Sequence, residues 1–232
     1  MGFHTSDPFL KSSREDAALV GSTPAWLKDA DHRQALAGLL SRYSTGPRWL
    51  TEPAPDHQAL QQAIACALRA PDHGQLVPWR AVLIERDQRE ALGECFARFA
   101  RDVGKSEEDV ERERERAHKG PVLVAWVARI TPGIAEVPEH EQWITVGGAL
   151  TNFLNALHLM GYGAKTLSGR KCTHPAVSEA FCSPGERLVA FVGVGTASRR
   201  AAPRSMDRVD NVLSPWARAP MTGSPGEAHA FP

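Results

Sequence analysis

The stretch from Trp143 to Met160 constrains this chain more than any other. Trp143, Val146, Leu150, Phe153, Leu154, Leu157 and Met160 recur at the spacing of one helical face. Gly161 follows as a natural C′ residue. Within the helix, Gly147-Gly148-Ala149 allows another backbone to come close. No other helical stretch is as apolar, so it is expected at the centre of the fold.

Shorter elements alternate around it. A helix is expected from Asp31, with Leu36, Leu39 and Leu40 on one face and a stop at Ser44-Thr45-Gly46-Pro47. A second runs from Asp56, a good N-cap, through Leu60, Ile64, Ala67 and Leu68 to Pro71. Asp87 opens a third, with Ala91, Leu92, Cys95, Phe96 and Phe99 inward. Ala81–Ile84 and Pro121–Ile130 are apolar runs of buried-strand type, and Gly163–Leu167 and Arg187–Gly195 add two more strands. A short helix is expected over Pro175–Phe181. The run Glu107–Lys119 is charged almost throughout, with Glu108–Arg112 and Glu115–Lys119 at i,i+4, and reads as a solvated helix face. Residues 1–31 form an N-terminal extension, 32–210 the domain, and 211–232 a Gly/Pro/Ser-rich tail.

Composition excludes several classes. The chain has 232 residues, with 27 Lys+Arg against 27 Asp+Glu. That balance argues against nucleic acid or a membrane surface as partner, because both rely on positive excess. No apolar run approaches the roughly 20 residues of a membrane span. Cys66, Cys95, Cys172 and Cys182 are dispersed without a C-x-x-C pair, so no metal site or disulfide scaffold is indicated, and reduced core thiols are expected. Met1-Gly2-Phe3-His4-Thr5-Ser6 fits a myristoylation pattern, but no polybasic stretch follows, and it is read as a chance match. A soluble cytoplasmic α/β-type protein is the expectation.

No dinucleotide-binding G-x-G-x-x-G, P-loop, H-E-x-x-H or G-x-S-x-G motif occurs. Three polar turn segments beside apolar elements stand out instead. Ser41–Arg48 offers two arginines and three aliphatic hydroxyls to a phosphate and ribityl chain, or else a cation at a helix C-terminus. Arg69–Trp79 joins a helix to a strand, and Gly161–Gly169 leaves the apolar helix. Read alone, Arg69 is a helix-end cation, His73 a turn residue and Trp79 plain core.

In order, the three segments resemble the nitroreductase family of FMN-dependent oxidoreductases, from about Leu36 to Arg208. Arg42-Tyr43-Ser44-Thr45 is similar to the family's opening motif, and Ala70-Pro71 through Pro78-Trp79 to its second. Arg69-Ala70-Pro71-Asp72-His73 and the Glu52–Pro55 stretch resemble a compact bacterial subfamily of NAD(P)H nitroreductases. The final strand ending Gly193-Val194-Gly195-Thr196 completes the pattern. Three departures are visible. Val77 stands where the family usually has Gln, Tyr43 or Ser44 replaces a second Arg of the subfamily, and Thr166-Leu167-Ser168 replaces a Trp-Arg-Ser string.

The resemblance implies an α+β, three-layer α-β-α fold, with a mostly antiparallel sheet flanked by helices. It implies that Arg42, Tyr43, Ser44, Arg69 and His73 contact FMN. Thr166, Leu167 and Ser168 would lie beside the flavin ring, with an N–H facing N5, and Arg204 (Arg200 competing) would reach the phosphate. It further implies NADH or NADPH as reductant, a small nitroaromatic or quinone-like acceptor, and a homodimer with FMN at the interface. Because the flavin carries the chemistry, no catalytic side chain is expected. A flavin-sequestering protein, or oxygen-dependent flavin chemistry, are the alternatives on the same fold.

Overall fold

The computed structural model describes residues 29–199 together with Val212, Leu213, Pro215 and Trp216. Residues 29–199 fall within one compact unit, Met1–Ala201, and the other four within a second, Ala202–Pro232. In chain order the first unit contains α1 (Asp29–Ser41), β1 (Leu50–Thr51), α2 (His57–Ala67), β2 (Trp79–Leu83), α3 (Arg89–Asp102) and α4 (Glu107–Glu115). Then come β3 (Val122–Arg129), α5 (Glu139–Leu159), β4 (Gly163–Leu167), α6 (Arg170–Thr173), α7 (Pro175–Ser178) and β5 (Glu186–Ala197).

β5 organises the sheet. It pairs antiparallel with β3 through Glu186–Val194, with β4 through Phe191–Gly195, and with β1 at Thr196 and Ala197. β2 pairs antiparallel with the other side of β3. β3 is apolar along its length because both of its faces are covered. Val124, Trp126 and Ala128 enter one core with Ala63 and Ala67 of α2 and Val146, Ala149, Phe153 and Leu157 of α5. Leu123, Ala125 and Val127 enter the other, with Leu92, Phe96 and Phe99 of α3, Cys172 of α6 and Val177 of α7. The fold is therefore α+β, with helices on both faces of an antiparallel sheet.

Local signals explain most boundaries. Asp56 accepts the Ala59 N–H at 2.7 Å and caps α2 as its position predicts. The two-residue β1 has no periodicity of its own and forms because β5 overruns β3 to meet it. Two expectations meet a different outcome. Leu36 and Leu40 of α1 are 57% and 59% exposed, so their apolar face finds no cover among the described residues. Cys66 is exposed as well, outside the core. The charged run is solvated on one side only. Arg112 pairs with Glu108 and Asp109, and Arg114 with Glu111, whereas Val110, Glu113 and Ala117 are buried. Those three recur at i, i+3 and i+7, one helical face turned inward.

Candidate functional site

The first polar segment is seated directly on β4. Ser44 forms a parallel bridge with Ala164, and the Thr45 N–H donates to the Ala164 carbonyl at 3.0 Å. The contact requires a glycine next door, since a Cβ on Gly163 would stand 3.0 Å from Thr45 Oγ1. Backbone groups on a strand alternate sides, so Thr166 and Ser168 follow Ala164 in facing the edge away from β5. Beyond Thr45 no strand covers that edge among the described residues, leaving N–H groups available to a ligand.

Below this edge, on the α3 side of the sheet, lies a cavity of about 520 Å³. Its floor is apolar, from Phe96, Leu123, Leu167 and Phe191, and Ser168 and Trp49 sit at its wall. Five cations line it: Arg48, Arg116, Lys119, Lys165 and Lys171, with no Asp or Glu among them. In a chain of zero net charge this is a local excess of one sign, which an apolar floor strengthens by lowering the local dielectric. Cys172 also lines the cavity, but burial pushes its thiol up, away from the reactive thiolate.

One carboxylate underlies the cation set. Glu113, its side chain 3% exposed, accepts from Lys105 Nζ at 2.7 Å and Lys171 Nζ at 2.7 Å, and pairs with Arg116. Burial alone would raise its pKa, but the Lys105 and Lys171 hydrogen bonds and the charges of Lys171 and Arg116 outweigh it and hold the carboxyl at about 2. Lys171 is itself lowered, by burial first, with Glu113 opposing. Its Nζ stands 3.8 Å from the Phe96 ring centroid.

The second polar segment lies elsewhere. Asp72 accepts the Leu76 and Val77 N–H groups at 3.2 and 2.8 Å, closing a tight turn in which Val77 adopts a positive φ of 45°. A β-branched residue is strained there, a cost the turn bears at the position where the family pattern departs. His73 Nδ1 meets Glu141 Oε2 at 2.8 Å, and Thr145 donates to the Pro71 carbonyl at 2.7 Å, so the segment rides on the first turns of α5. Tyr43 instead packs edge-on against His158, whose ring nitrogen meets the Ser41 hydroxyl at 2.9 Å, on the last turn. From Glu141 to His158 the helix rises about 25 Å.

The structure thus brings together Arg42, Tyr43, Ser44, Thr166, Leu167 and Ser168. His73 stands apart, exposed at the other end of α5, Arg69 is exposed beside the middle of that helix, next to Ala70 opposite Gly148, and Arg204 and Arg200 lie outside the described residues. Trp79 is core, stacked on Trp126 at 4.6 Å. Sequence reasoning missed Glu113, Arg116, Lys119 and Lys171. The spacing of Val110, Glu113 and Ala117 was the available sign that the charged run turns one face inward. Among the described residues no cluster of His, Cys, Asp or Glu is placed to hold a metal ion, and no helix is long and apolar enough to cross a membrane.

Comparison with known proteins agrees with this geometry. The model of the Nitroreductase family matches residues 39–196. A curated protein of Haemophilus influenzae named "Putative NAD(P)H nitroreductase" is 32% identical over 168 residues, 72% of this chain and 90% of that protein. The similarly named YdjA of Escherichia coli is 30% identical over 169 residues, 72% of this chain and 91% of its own. Among solved structures, a nitroreductase-like family protein from Bacillus cereus superposes with a TM-score of 0.61 at 20% identity, covering 81% of this chain and 92% of that one. A mutant of the FMN and NADPH-dependent nitroreductase NfnB from Sphigopyxis gives 0.57 at 17% identity, covering 78% and 97%.

Proposed function

The chain belongs to the nitroreductase family of oxidoreductases, and from that premise we propose that it binds FMN at the β4 edge and its cationic cavity, takes hydride from NADH or NADPH, and reduces a small nitroaromatic or quinone-like acceptor by a ping-pong cycle. One observation carries the reading. A cavity with an apolar floor and only cations as its charged groups is walled by Ser168 and by Gly46–Trp49, which follow directly on the Ser44 bridge to β4.

The donor set suits a flavin mononucleotide. Arg42 and the Ser44 hydroxyl offer charge-assisted and neutral hydrogen bonds to a phosphate, with Arg204 as a further candidate. Phe96, Leu123, Leu167 and Phe191 offer a flat apolar surface to a ring, and the outward N–H groups of Thr166 and Ser168 offer donors along its edge. When bound, FMN supplies the hydride acceptor and the electron store. The chain's contribution is to hold the ring, exclude water beneath it, and set cations against the negative charge that reduction creates near N1–C2=O. No side-chain acid or base is required for hydride transfer to the flavin.

The assembly proposed is a homodimer. His73 sits about 25 Å along α5 from the Tyr43 end, farther than one mononucleotide reaches, so it contacts flavin only if a second copy supplies it, and Arg69, beside the middle of the helix, is assigned to the same second copy. Leu36, Leu39 and Leu40 of α1, with Ile144 and Leu159 of α5, supply an uncovered apolar surface for that copy. A visible spectrum followed by anaerobic NAD(P)H titration tests the proposal. Flavin absorbance that bleaches on titration is expected. Protein that takes up no FMN supplied in excess would overturn it, and flavin that binds without bleaching would favour a sequestering role.

A further inference from the structure

Glu113 is a buried acid that the proposed cycle does not use, yet it organises the wall of the cavity. Its two carboxylate oxygens engage cations from three places: Lys105 before α4, Arg116 after α4, and Lys171 of α6. Arg116 and Lys171 are cavity residues, and Lys105 is not. Lys171 lies against an apolar ring with its side chain 19% exposed, facing the charges of Arg116 and Lys105. Nothing else among the described residues balances those like charges at this point. Without Glu113, Lys171 loses its ammonium or withdraws, and Arg116, with a side chain 54% exposed, is free to turn to water.

We infer that Glu113 is a positioning residue: it holds the Lys171 ammonium and the Arg116 guanidinium against the cavity wall, and through them favours the reduced over the oxidised flavin. The inference rests on the reading that FMN occupies the cavity. Removing Glu113 deletes one negative charge behind the wall, lets Lys171 shed its proton or withdraw, and lets Arg116 carry its charge out to water, so two cations leave the wall for one anion and the net effect on an anionic ring is unfavourable. A role confined to holding the fold together would lower stability and leave the preference between the two flavin states unchanged.

The test measures dissociation constants of oxidised and reduced FMN for wild type and Glu113→Gln, with the potential of the bound flavin as a second readout. The ratio of reduced to oxidised affinity is expected to fall about tenfold, equivalent to about 30 mV on a two-electron couple. Arg116→Gln, at an exposed side chain that the fold does not need, is expected to move the ratio the same way by a smaller factor, roughly threefold, and serves if Glu113→Gln does not fold. A ratio that stays constant or rises in the variants, with wild-type FMN binding intact, overturns this inference alone. Wild-type protein that binds no FMN overturns the functional reading beneath it.

Discussion

The two faces of the sheet use alternate residues of one strand for opposite purposes. On the α5 side, Val124, Trp126 and Ala128 join a dry core in which Trp79, Trp126 and Phe153 stack in series at 4.6 and 5.5 Å. On the α3 side, Leu123 joins Phe96 and Phe191 to floor a cavity ringed by cations. The first face is packed to hold shape. The second leaves volume unfilled and its cations only partly compensated, by Glu113 at Arg116 and Lys171, which stability alone does not favour and a ligand would. Adjacent residues of β3 therefore serve the scaffold and the site in turn.

The sharpest break in that comparison is Trp126→Ala, since Trp126 is fully buried between two aromatic rings. A loss of about 3–5 kcal/mol in denaturant unfolding is expected, from lost transfer and the cavity left behind. On the other face, acid is the probe. Glu113 and Glu186 are both held at about 2 against an ordinary 4.5, Glu186 chiefly by the Arg80 hydrogen bond. Their stabilisation is complete above about pH 4.5 and drains as pH falls toward 2. Glu113 accounts for about 3 kcal/mol of it, and Glu113→Gln should flatten the pH dependence of unfolding in that window.

A smaller effect is expected at the ligand. Arg42→Ala should weaken FMN binding by about 1.5–3 kcal/mol with stability nearly unchanged, and equal affinity by titration would remove Arg42 from the site. The least effect belongs to the solvated side of α4. Arg112→Ala breaks exposed pairs with Glu108 and Asp109 and should cost less than about 0.5 kcal/mol by thermal unfolding. If it costs as much as Glu113→Gln, the division of α4 into an inert side and an organising side is wrong.

Much of this was legible in one dimension. The α5 pattern, the Asp56 cap, the apolar run of β3 and the order of the three polar segments each depend on neighbours a few residues apart, where period and propensity dominate. Glu113 was not legible, because a Glu in a run of charges has the same local context whether it faces water or a lysine 58 residues away. Leu36, Leu39 and Leu40 show the converse. Their spacing declares an apolar face without saying what covers it.

The sequence by itself determined most of the elements, the family resemblance and the three polar segments proposed to meet a flavin. Tertiary structure alone decided which of them meet in one chain. β5 draws β4 and the Ser44 segment together at one end of α5 and leaves His73 at the other, with Arg69 beside the middle of the helix. It also decided that five cations far apart in the chain share one cavity, two of them, Arg116 and Lys171, held by a single carboxylate. The reason is that burial and charge clustering depend on long-range contacts, whose partners lie far apart along the chain and are joined only when the sheet closes.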